Sequence, residues 1–245
     1  MSGPPAFRVV VPMYNEEAGA EACVRRVVAA LAPYGERAAL IVVDDGSRDG
    51  TRPILRRLAA EIPALRYVER AANGGYGAAL RTGTEKAAEE GAELVIFMDS
   101  DLTNDPADIP KFVAAFEAGA DVVKATRFRG GGGMRGVLWS RRMFSIAGNL
   151  VAAALFRIGV RDCTNGFRGV RVPLLMRMRL RERGFPVIVE ELWWCKALGA
   201  RFAEVPVVLT SRADAQRPTA FQYKPEIFRT YLHYALLSAR GIRPE

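Results

Sequence analysis

The sequence contains few cysteines and a single histidine. Its three cysteines, Cys23, Cys163 and Cys195, are widely spaced and form no C-x-x-C pair. They are too few for a disulfide framework, so we expect a reducing compartment. His233 alone cannot build a multi-histidine zinc site or serve a Ser-His triad placed elsewhere in the chain. These shortages exclude disulfide-stapled domains and two large classes of hydrolytic site.

The chain also lacks a long apolar run. Its longest apolar tract, residues 143–156, is interrupted by Ser145, Gly148 and Asn149 and has arginines at both ends. It is too short and too polar to span a bilayer. No N-terminal segment has the pattern of a signal peptide. We therefore expect a cytoplasmic protein without a membrane span.

Lysine is scarce, whereas arginine is abundant. Of the 35 basic residues 30 are arginines, and the net charge is +8 over 245 residues. Arginine favours fork-like contacts to phosphate, so we expect an anionic partner. Nucleotide sugars, lipid phosphates, anionic membranes and nucleic acids all satisfy this expectation. The length and the apolar half of the composition allow one α/β domain with a substantial core.

The first half alternates strand and helix signals at the spacing of βα units. Strands are predicted at residues 7–12, 40–43, 66–68, 94–98 and 121–124, and helices at 17–32, 53–61, 76–90 and 110–118. Such alternation indicates a mostly parallel sheet with helices on both faces.

The pattern changes after a four-glycine loop at residues 130–133, which is either a flexible connector or a lid. The second half predicts an amphipathic helix at residues 141–157, a turn at 164–168 and a strand at 187–189 that ends in Glu190-Glu191. After these it predicts a short helix at 190–198, another strand at 202–209 and a final helix at 225–238 that begins with proline.

Polar clusters follow four of the predicted strands. The most informative one is Asp99-Ser100-Asp101, which ends the apolar run of residues 94–98. Two carboxylates at this spacing can hold Mg²⁺ or Mn²⁺ against a diphosphate, although the same pattern also caps turns. In an open α/β sheet ligands bind beyond the carboxyl ends of the strands, so the four clusters should converge on one crevice.

The four clusters together resemble a known family. P-x-Y-N-E at 12–16, V-D-D-G-S-x-D-G-T at 43–51, N-x-G-x-G-x-A at 73–79 and D-x-D-L at 99–102 are similar to the motifs of the inverting glycosyltransferases of family 2. That resemblance implies a GT-A fold: an α/β protein with a single Rossmann-like, mostly parallel sheet flanked by helices, and amphipathic interface helices in the second half. Thr126-Arg127, Trp139-x-Arg141, the segment 162–168 and Arg212 resemble the dolichol-phosphate mannose synthase branch.

The resemblance assigns residues to three groups. The metal group for Mg²⁺ or Mn²⁺ comprises Asp99, Asp101 and Thr103, where Thr103 replaces a glutamine frequent in the family. The nucleotide group comprises Pro12, Tyr14, Asn15, Glu16, Asp44, Asp45, Asn73, Gly75, Asp99 and Ser100. The acceptor group comprises Arg127, Arg141, Ser145 and Arg212, but the Ser-Lys pair expected after Arg212 is absent.

The implied activity is transfer of a sugar, mannose or glucose, from a GDP- or UDP-linked donor to a polyprenyl or dolichyl phosphate. The enzyme would make peripheral contact with the cytoplasmic face of a membrane. Its GT-A domain would span residues 1–215, with a C-terminal helical extension at 216–245 packed on it. In the alternative, the acceptor is a hydroxyl group and Glu191 is the base. A nucleic-acid-binding module also fits the charge, whereas a Rossmann dehydrogenase lacks its G-x-G-x-x-G.

Overall fold

The computed structural model describes residues 5–136, 139–210 and 225–244, without the side chains of residues 140, 141 and 144. In these described ranges the strands are β1 (Phe7–Met13), β2 (Ala38–Asp44), β3 (Leu65–Glu69), β4 (Leu94–Phe97), β5 (Val122–Thr126), β6 (Gly133–Met134), β7 (Arg168–Arg171), β8 (Phe202–Pro206) and β9 (Val208–Leu209). Seven of them form one sheet in the order β3-β2-β1-β4-β7-β5-β8, while β6 and β9 pair separately. All the pairs are parallel except those that β7 makes with β4 and β5.

The α-helices of the described part of the chain connect and cover these strands. They are α1 (Ala20–Leu31), α2 (Thr51–Glu61), α3 (Tyr76–Glu89), α4 (Ile109–Glu117), α5 (Trp139–Phe156), α6 (Val172–Leu175), α7 (Val187–Ala197) and α8 (Pro225–Ala239). Successive side chains of β1 point to opposite faces: Val9 and Val11 pack with α1, α2 and α4, whereas Val10 packs with α3, α6 and α7. Because both faces are covered, the central strands are apolar runs rather than alternating ones. The predicted α/β fold with a mostly parallel sheet is confirmed.

Strand β7 was not expected, because no strand was predicted at residues 168–171; the predicted turn at 164–168 lies just before it and overlaps it only at Arg168. Arg168–Arg171 instead enters between β4 and β5 as an antiparallel strand. Its sequence, RGVR, has neither an apolar run nor a clear alternation, so it carries no strand signal. A Cβ at Gly169 would lie 2.6 Å from Cε2 of Phe116, so glycine allows α4 to pack closely on this strand.

The predicted strand at residues 187–189 was wrong, because these residues begin helix α7. Pro186 is the N-cap, and its carbonyl accepts the amide of Glu190 at 3.0 Å. Val187, Ile188 and Val189 are all buried, so this helix is apolar around its first turn and its sequence imitates a buried strand. The predicted strand at 202–209 is likewise interrupted at Val207, which separates β8 from β9.

Helices α5, α7 and α8 form a layer with its own small core, which contains Phe156, Leu192 and Tyr234. Of the apolar residues that recur at helical spacing along α5, Met143, Leu150 and Ala154 are exposed, and their contact with a membrane stays a prediction. Among the described residues, no helix combines the length and the apolar character that crossing a bilayer demands.

Candidate active site

The loops that follow β1 and β2 are tied together by hydrogen bonds. The amide of Asn15 donates to Oγ of Ser47 at 2.9 Å, and Oδ1 of Asn15 accepts the amide of Arg48 at 2.8 Å. Asn15 adopts a φ of +54°, a conformation that asparagine tolerates better than most residues. The amide of Glu16 donates to Oγ1 of Thr51. This bracing presents Tyr14, which is 42% exposed, at the carboxyl edge of the sheet.

Asp44 and Asp45 hold the neighbouring loops in place. The carboxylate of Asp44 is fully buried and accepts the amide of Ser47 and Nε of Arg52. Asp45 accepts the amides of Gly74 and Gly75 at 3.0 and 2.8 Å. The structure therefore places both carboxylates behind the loops as supports, and their direct contact with a nucleotide stays a prediction. Asn73, in contrast, is exposed at the edge of the crevice.

Asp99 and Asp101 lie directly beyond β4. Oδ1 of Asp101 accepts the amide and the hydroxyl of Thr103 at 3.1 and 2.8 Å, so Thr103 orients this carboxylate. Oδ1 of Asp99 accepts the hydroxyl of Tyr76 at 3.0 Å. Burial, together with the negative charge of Asp99, raises the pKa of Tyr76, so the phenol stays a hydrogen-bond donor.

These residues fit a hard divalent cation. A Cβ at Gly166 would lie 2.7 Å from Oδ2 of Asp99, so glycine keeps the space beside that oxygen open. Two carboxylates with a hydroxyl beside them are the donor set expected for Mg²⁺ or Mn²⁺ that completes its shell with phosphate oxygens. Such a site needs no third acidic residue, and the described part of the chain contains no cluster of three or more potential Asp, Glu, His or Cys ligands.

A cleft of about 560 Å³ begins at this carboxylate site. Its polar end contains Asp99, Thr103, Arg127, Asn149 and Thr164. The remainder is mostly apolar and is formed by side chains of α5, α7 and α8 and the segments beside them. These apolar residues are Ala147, Val151, Ala152, Phe185, Ile188, Val189, Leu209, Phe228, Leu232 and Ala235.

The acceptor group is only partly visible. Arg127 is at the polar end of the cleft, where its guanidinium makes two hydrogen bonds to Asp162, at 2.7 and 2.8 Å, and one to Thr164. Ser145 lines the same cleft. The side chain of Arg141 and the whole of Arg212 lie outside the described residues. The structure therefore brings together Asp99, Arg127 and Ser145.

Glu191 does not face the cleft as a base would. Its two oxygens accept Nε and Nη2 of Arg168 at 2.6 and 2.8 Å, and both side chains are buried. Nη1 of Arg168 donates to the carbonyl of Gly166, next to Asp99. Arg168 therefore engages both oxygens of Glu191, and the role of Glu191 as a base for a hydroxyl acceptor stays a prediction.

Sequence reasoning missed two residues that the structure brings to the site. Tyr76 lies within the N-x-G-x-G-x-A motif at a position that the pattern leaves open. Asn149 was noted only as an interruption of an apolar tract, yet its amide nitrogen donates to the carbonyl of Ser145 and to Oγ1 of Thr164. A buried amide on an apolar helix was the available signal, because such a group needs polar partners.

Comparisons with known proteins identify relatives of the chain in sequence and in structure. The sequence model of the family described as "Glycosyl transferase family 2" matches residues 8–179. The chain is 30% identical over 208 residues to polyprenol monophosphomannose synthase of Mycolicibacterium smegmatis, covering 83% of this chain and 77% of that protein. It is also 30% identical over 206 residues to undecaprenyl-phosphate mannosyltransferase of Micrococcus luteus, covering 83% of each.

A similar solved structure is glucosyl-3-phosphoglycerate synthase from Mycobacterium tuberculosis in complex with Mn²⁺, UDP and glucosyl-3-phosphoglycerate. It has a TM-score of 0.65 and 26% sequence identity, covering 98% of this chain and 81% of that one.

Proposed function

Because the chain belongs to glycosyl transferase family 2, we propose that it transfers a sugar, with inversion, from a nucleotide diphosphate sugar to a polyprenyl phosphate. The sugar is mannose or glucose, since the curated relatives are named for mannose transfer and the similar structure for a glucosyl product. The nucleotide is GDP or UDP. The required ion is Mg²⁺ or Mn²⁺.

The lining of the cleft carries the proposal. An acceptor with a phosphate head and an isoprenoid tail needs a polar end beside the donor diphosphate and an apolar channel beyond it. The polar end of the cleft contains Asp99 and Arg127, and its apolar part runs between α5 and α8. In the proposed arrangement α8, within the predicted extension at 216–245, covers the lipid. The exposed face of α5 would contact the membrane peripherally on its cytoplasmic side.

The proposed chemistry needs no base. A phosphate monoester is already an anion at neutral pH, so the acceptor oxygen can attack the anomeric carbon in line as the bond to the diphosphate breaks. Asp99 and Asp101, with Thr103 orienting Asp101, would hold the cation, whose charge stabilises the departing diphosphate. Arg127, Arg141 and Arg212 would hold the acceptor phosphate by charge-assisted hydrogen bonds.

A panel assay tests the proposal. The protein is incubated with GDP- and UDP-linked sugars, Mn²⁺ and, in separate reactions, a short polyprenyl phosphate, phosphoglycerate or a free sugar, and products are read by mass spectrometry. We expect a glycosyl phosphate lipid that disappears in EDTA and in Asp101→Ala, but persists in Asp105→Ala, which removes a nearby exposed carboxylate. Transfer to phosphoglycerate or to a sugar hydroxyl, with none to the lipid phosphate, would refute the acceptor assignment.

The acceptor arginines allow a second test. Arg141→Ala should weaken use of the lipid phosphate by about 10-fold or more and leave nucleotide binding nearly unchanged, since it deletes one charge-assisted contact. Arg142→Ala, next along the same helix, serves as the control. Equal effects of the two substitutions would count against a specific role for Arg141.

A further inference from the structure

The segment between α6 and α7 carries a row of arginines that the proposed reaction does not use. From residue 177 to 183 exposed and half-buried positions alternate strictly. The half-buried positions are Met178, Leu180 and Glu182, while the exposed positions are all arginine. We call the exposed set the arginine strip: Arg177, Arg179, Arg181 and Arg183.

The backbone of the strip is held in place by hydrogen bonds. Glu190 accepts the amides of Arg181 and Glu182 at 2.8 and 2.9 Å. The amide of Gly77 donates to the carbonyl of Arg183, and Arg81 donates to the carbonyl of Glu182. Met178 and Leu180 pack against the core cluster that includes α3. The four arginines therefore project from a fixed support.

The strip differs from the other arginine-rich surface of the protein. On α1 and α2, the exposed Arg25, Arg56 and Arg57 all form ion pairs with glutamates. Within the described residues, no member of the strip has a carboxylate within the 4.0 Å that defines an ion pair. Glu182, the acidic residue within the segment, instead accepts the hydroxyl of Tyr234 at 3.1 Å. The charge of the strip is uncompensated.

This contrast extends to the two halves of the chain. Residues 1–130 contain 16 basic and 19 acidic residues, which gives a net charge of −3. Residues 131–245 contain 19 basic and 8 acidic residues, which gives a net charge of +11. The described acidic side chains of the second half are largely withdrawn from its surface, since Asp162, Glu190 and Glu191 are buried. In that described part Glu226 is the one acidic residue that is exposed.

The second half also exposes large apolar side chains. They include Trp139, Leu150 and Val151 of α5, and Met176, which immediately precedes the strip and is 55% exposed. Two tyrosines of α8 connect the strip to the α5–α8 layer: Tyr234 through Glu182, and Tyr231 through the carbonyl of Phe185. Uncompensated arginines beside the exposed Met176 suit an interface of anionic headgroups and acyl chains.

We propose that the arginine strip is a docking surface for an anionic lipid bilayer. The proposal takes from the proposed function only that the acceptor resides in a membrane. It adds that the membrane must be negatively charged, and it assigns the attraction to residues outside the cleft. A single-stranded nucleic acid suits this surface less well, because the exposed neighbour of the strip is methionine rather than an aromatic platform for bases.

Vesicle sedimentation tests this proposal with two variants of equal charge. The strip variant replaces Arg177, Arg179, Arg181 and Arg183 with Gln, and the control replaces Arg25, Arg56, Arg57 and Arg66, so each lowers the formal charge from +8 to +4. The wild type and the control should bind vesicles containing phosphatidylglycerol and be released by salt. The strip variant should partition about 10-fold or more less, and none should bind neutral phosphatidylcholine strongly.

Three results would overturn the proposal: equal binding by the strip variant and the control, equal binding to neutral and anionic vesicles, or retention of single-stranded RNA but not of vesicles. Unchanged nucleotide affinity shows that the strip variant is folded. Turnover of a short, water-soluble acceptor phosphate separates this proposal from the proposed function. If the wild type binds vesicles but does not glycosylate that acceptor, the function fails and the docking surface stands.

Discussion

Tyr76 positions Asp99, a carboxylate of the proposed metal site, without being a ligand itself. Its hydroxyl donates to Oδ1 of Asp99, and its ring stacks on Phe185 at a centroid distance of 4.6 Å. The phenol is therefore fixed by packing and in turn restricts the rotation of the carboxylate. Thr103 acts similarly on Asp101, which gives this residue a role even though the family often has glutamine there.

Tyr76→Phe should raise the Mn²⁺ concentration needed for half-maximal activity several-fold, because Asp99 loses the hydrogen bond that orients it. Metal titrations of turnover provide the measurement. Tyr67→Phe is the matched control, since it removes a similar bond, from a tyrosine to Glu69 at 3.0 Å, on β3. An unchanged metal requirement in Tyr76→Phe would contradict the positioning role.

Arg168 and Glu191 form a buried ion pair, so replacing Glu191 lowers stability whether or not this residue acts as a base. Glu191→Gln leaves a buried guanidinium without its counter-charge, and breaking a buried pair costs about 3–5 kcal/mol. We expect urea denaturation to show a loss of this order, with turnover per folded molecule within a few-fold of the wild type. Glu61→Gln, which breaks exposed pairs only, should cost under about 1 kcal/mol.

A stable Glu191→Gln protein with turnover reduced about 100-fold would instead support a general base and a hydroxyl acceptor.

At the scale of the elements, the β strands and helices of the first half followed their sequence patterns closely. Strand β4 ends at Phe97 and α3 begins at Tyr76, near the predicted boundaries. Helix α7 and strand β7 did not follow theirs. Both are decided by neighbours far away in sequence: α7 is buried on its apolar first turn, and β7 is completed by pairing with β4 and β5.

Helix α5 contributes both to the cleft and to the surface, which allows a matched pair of substitutions. Ala152 lines the apolar part of the cleft, whereas Ala154 is exposed on the same helix and is not among its lining residues. Ala152→Phe should fill the channel and raise KM for a long polyprenyl phosphate about 10-fold or more. Ala154→Phe should leave it nearly unchanged.

Nucleotide affinity, measured by calorimetry, should be equal in the two variants. Equal KM values for the lipid would mean that the acceptor tail does not occupy this channel.

At the scale of the whole molecule, a buried lysine makes the free energy of unfolding depend on pH. Lys124 of β5 is fully buried, and its ammonium donates to the carbonyl of Asn165 at 2.6 Å. Burial, followed by the charge of Arg168, lowers the pKa of Lys124 from 10.5 to about 8. Between these two values the unfolded chain retains a proton that the folded protein has lost, so this group raises the free energy of unfolding as pH increases.

The prediction is a comparison of urea denaturation in the wild type and Lys124→Met at pH 7, 8, 9 and 10. The wild type should gain stability relative to the variant as pH rises from about 8, because only the wild type releases this proton on folding. Buried tyrosines also titrate at high pH, but they are present in both proteins, so their contributions cancel when the two free energies of unfolding are subtracted. Parallel curves for the two proteins would show that Lys124 does not titrate in this window.

The sequence by itself determined the α/β class, the order of the first strands and the carboxylate pair at the end of β4. These features depend on local periodicity and on the rule that the carboxyl ends of parallel strands meet at one edge. Tertiary structure decided the roles of side chains whose partners lie far along the chain. Glu191, a candidate base in the sequence, is bound by Arg168, 23 residues away. Asp45 accepts the amides of Gly74 and Gly75, 29 and 30 residues away, and Tyr76 orients Asp99 from a separation of 23 residues. Such pairings have no local pattern, because burial and contact geometry arise only when the chain is folded.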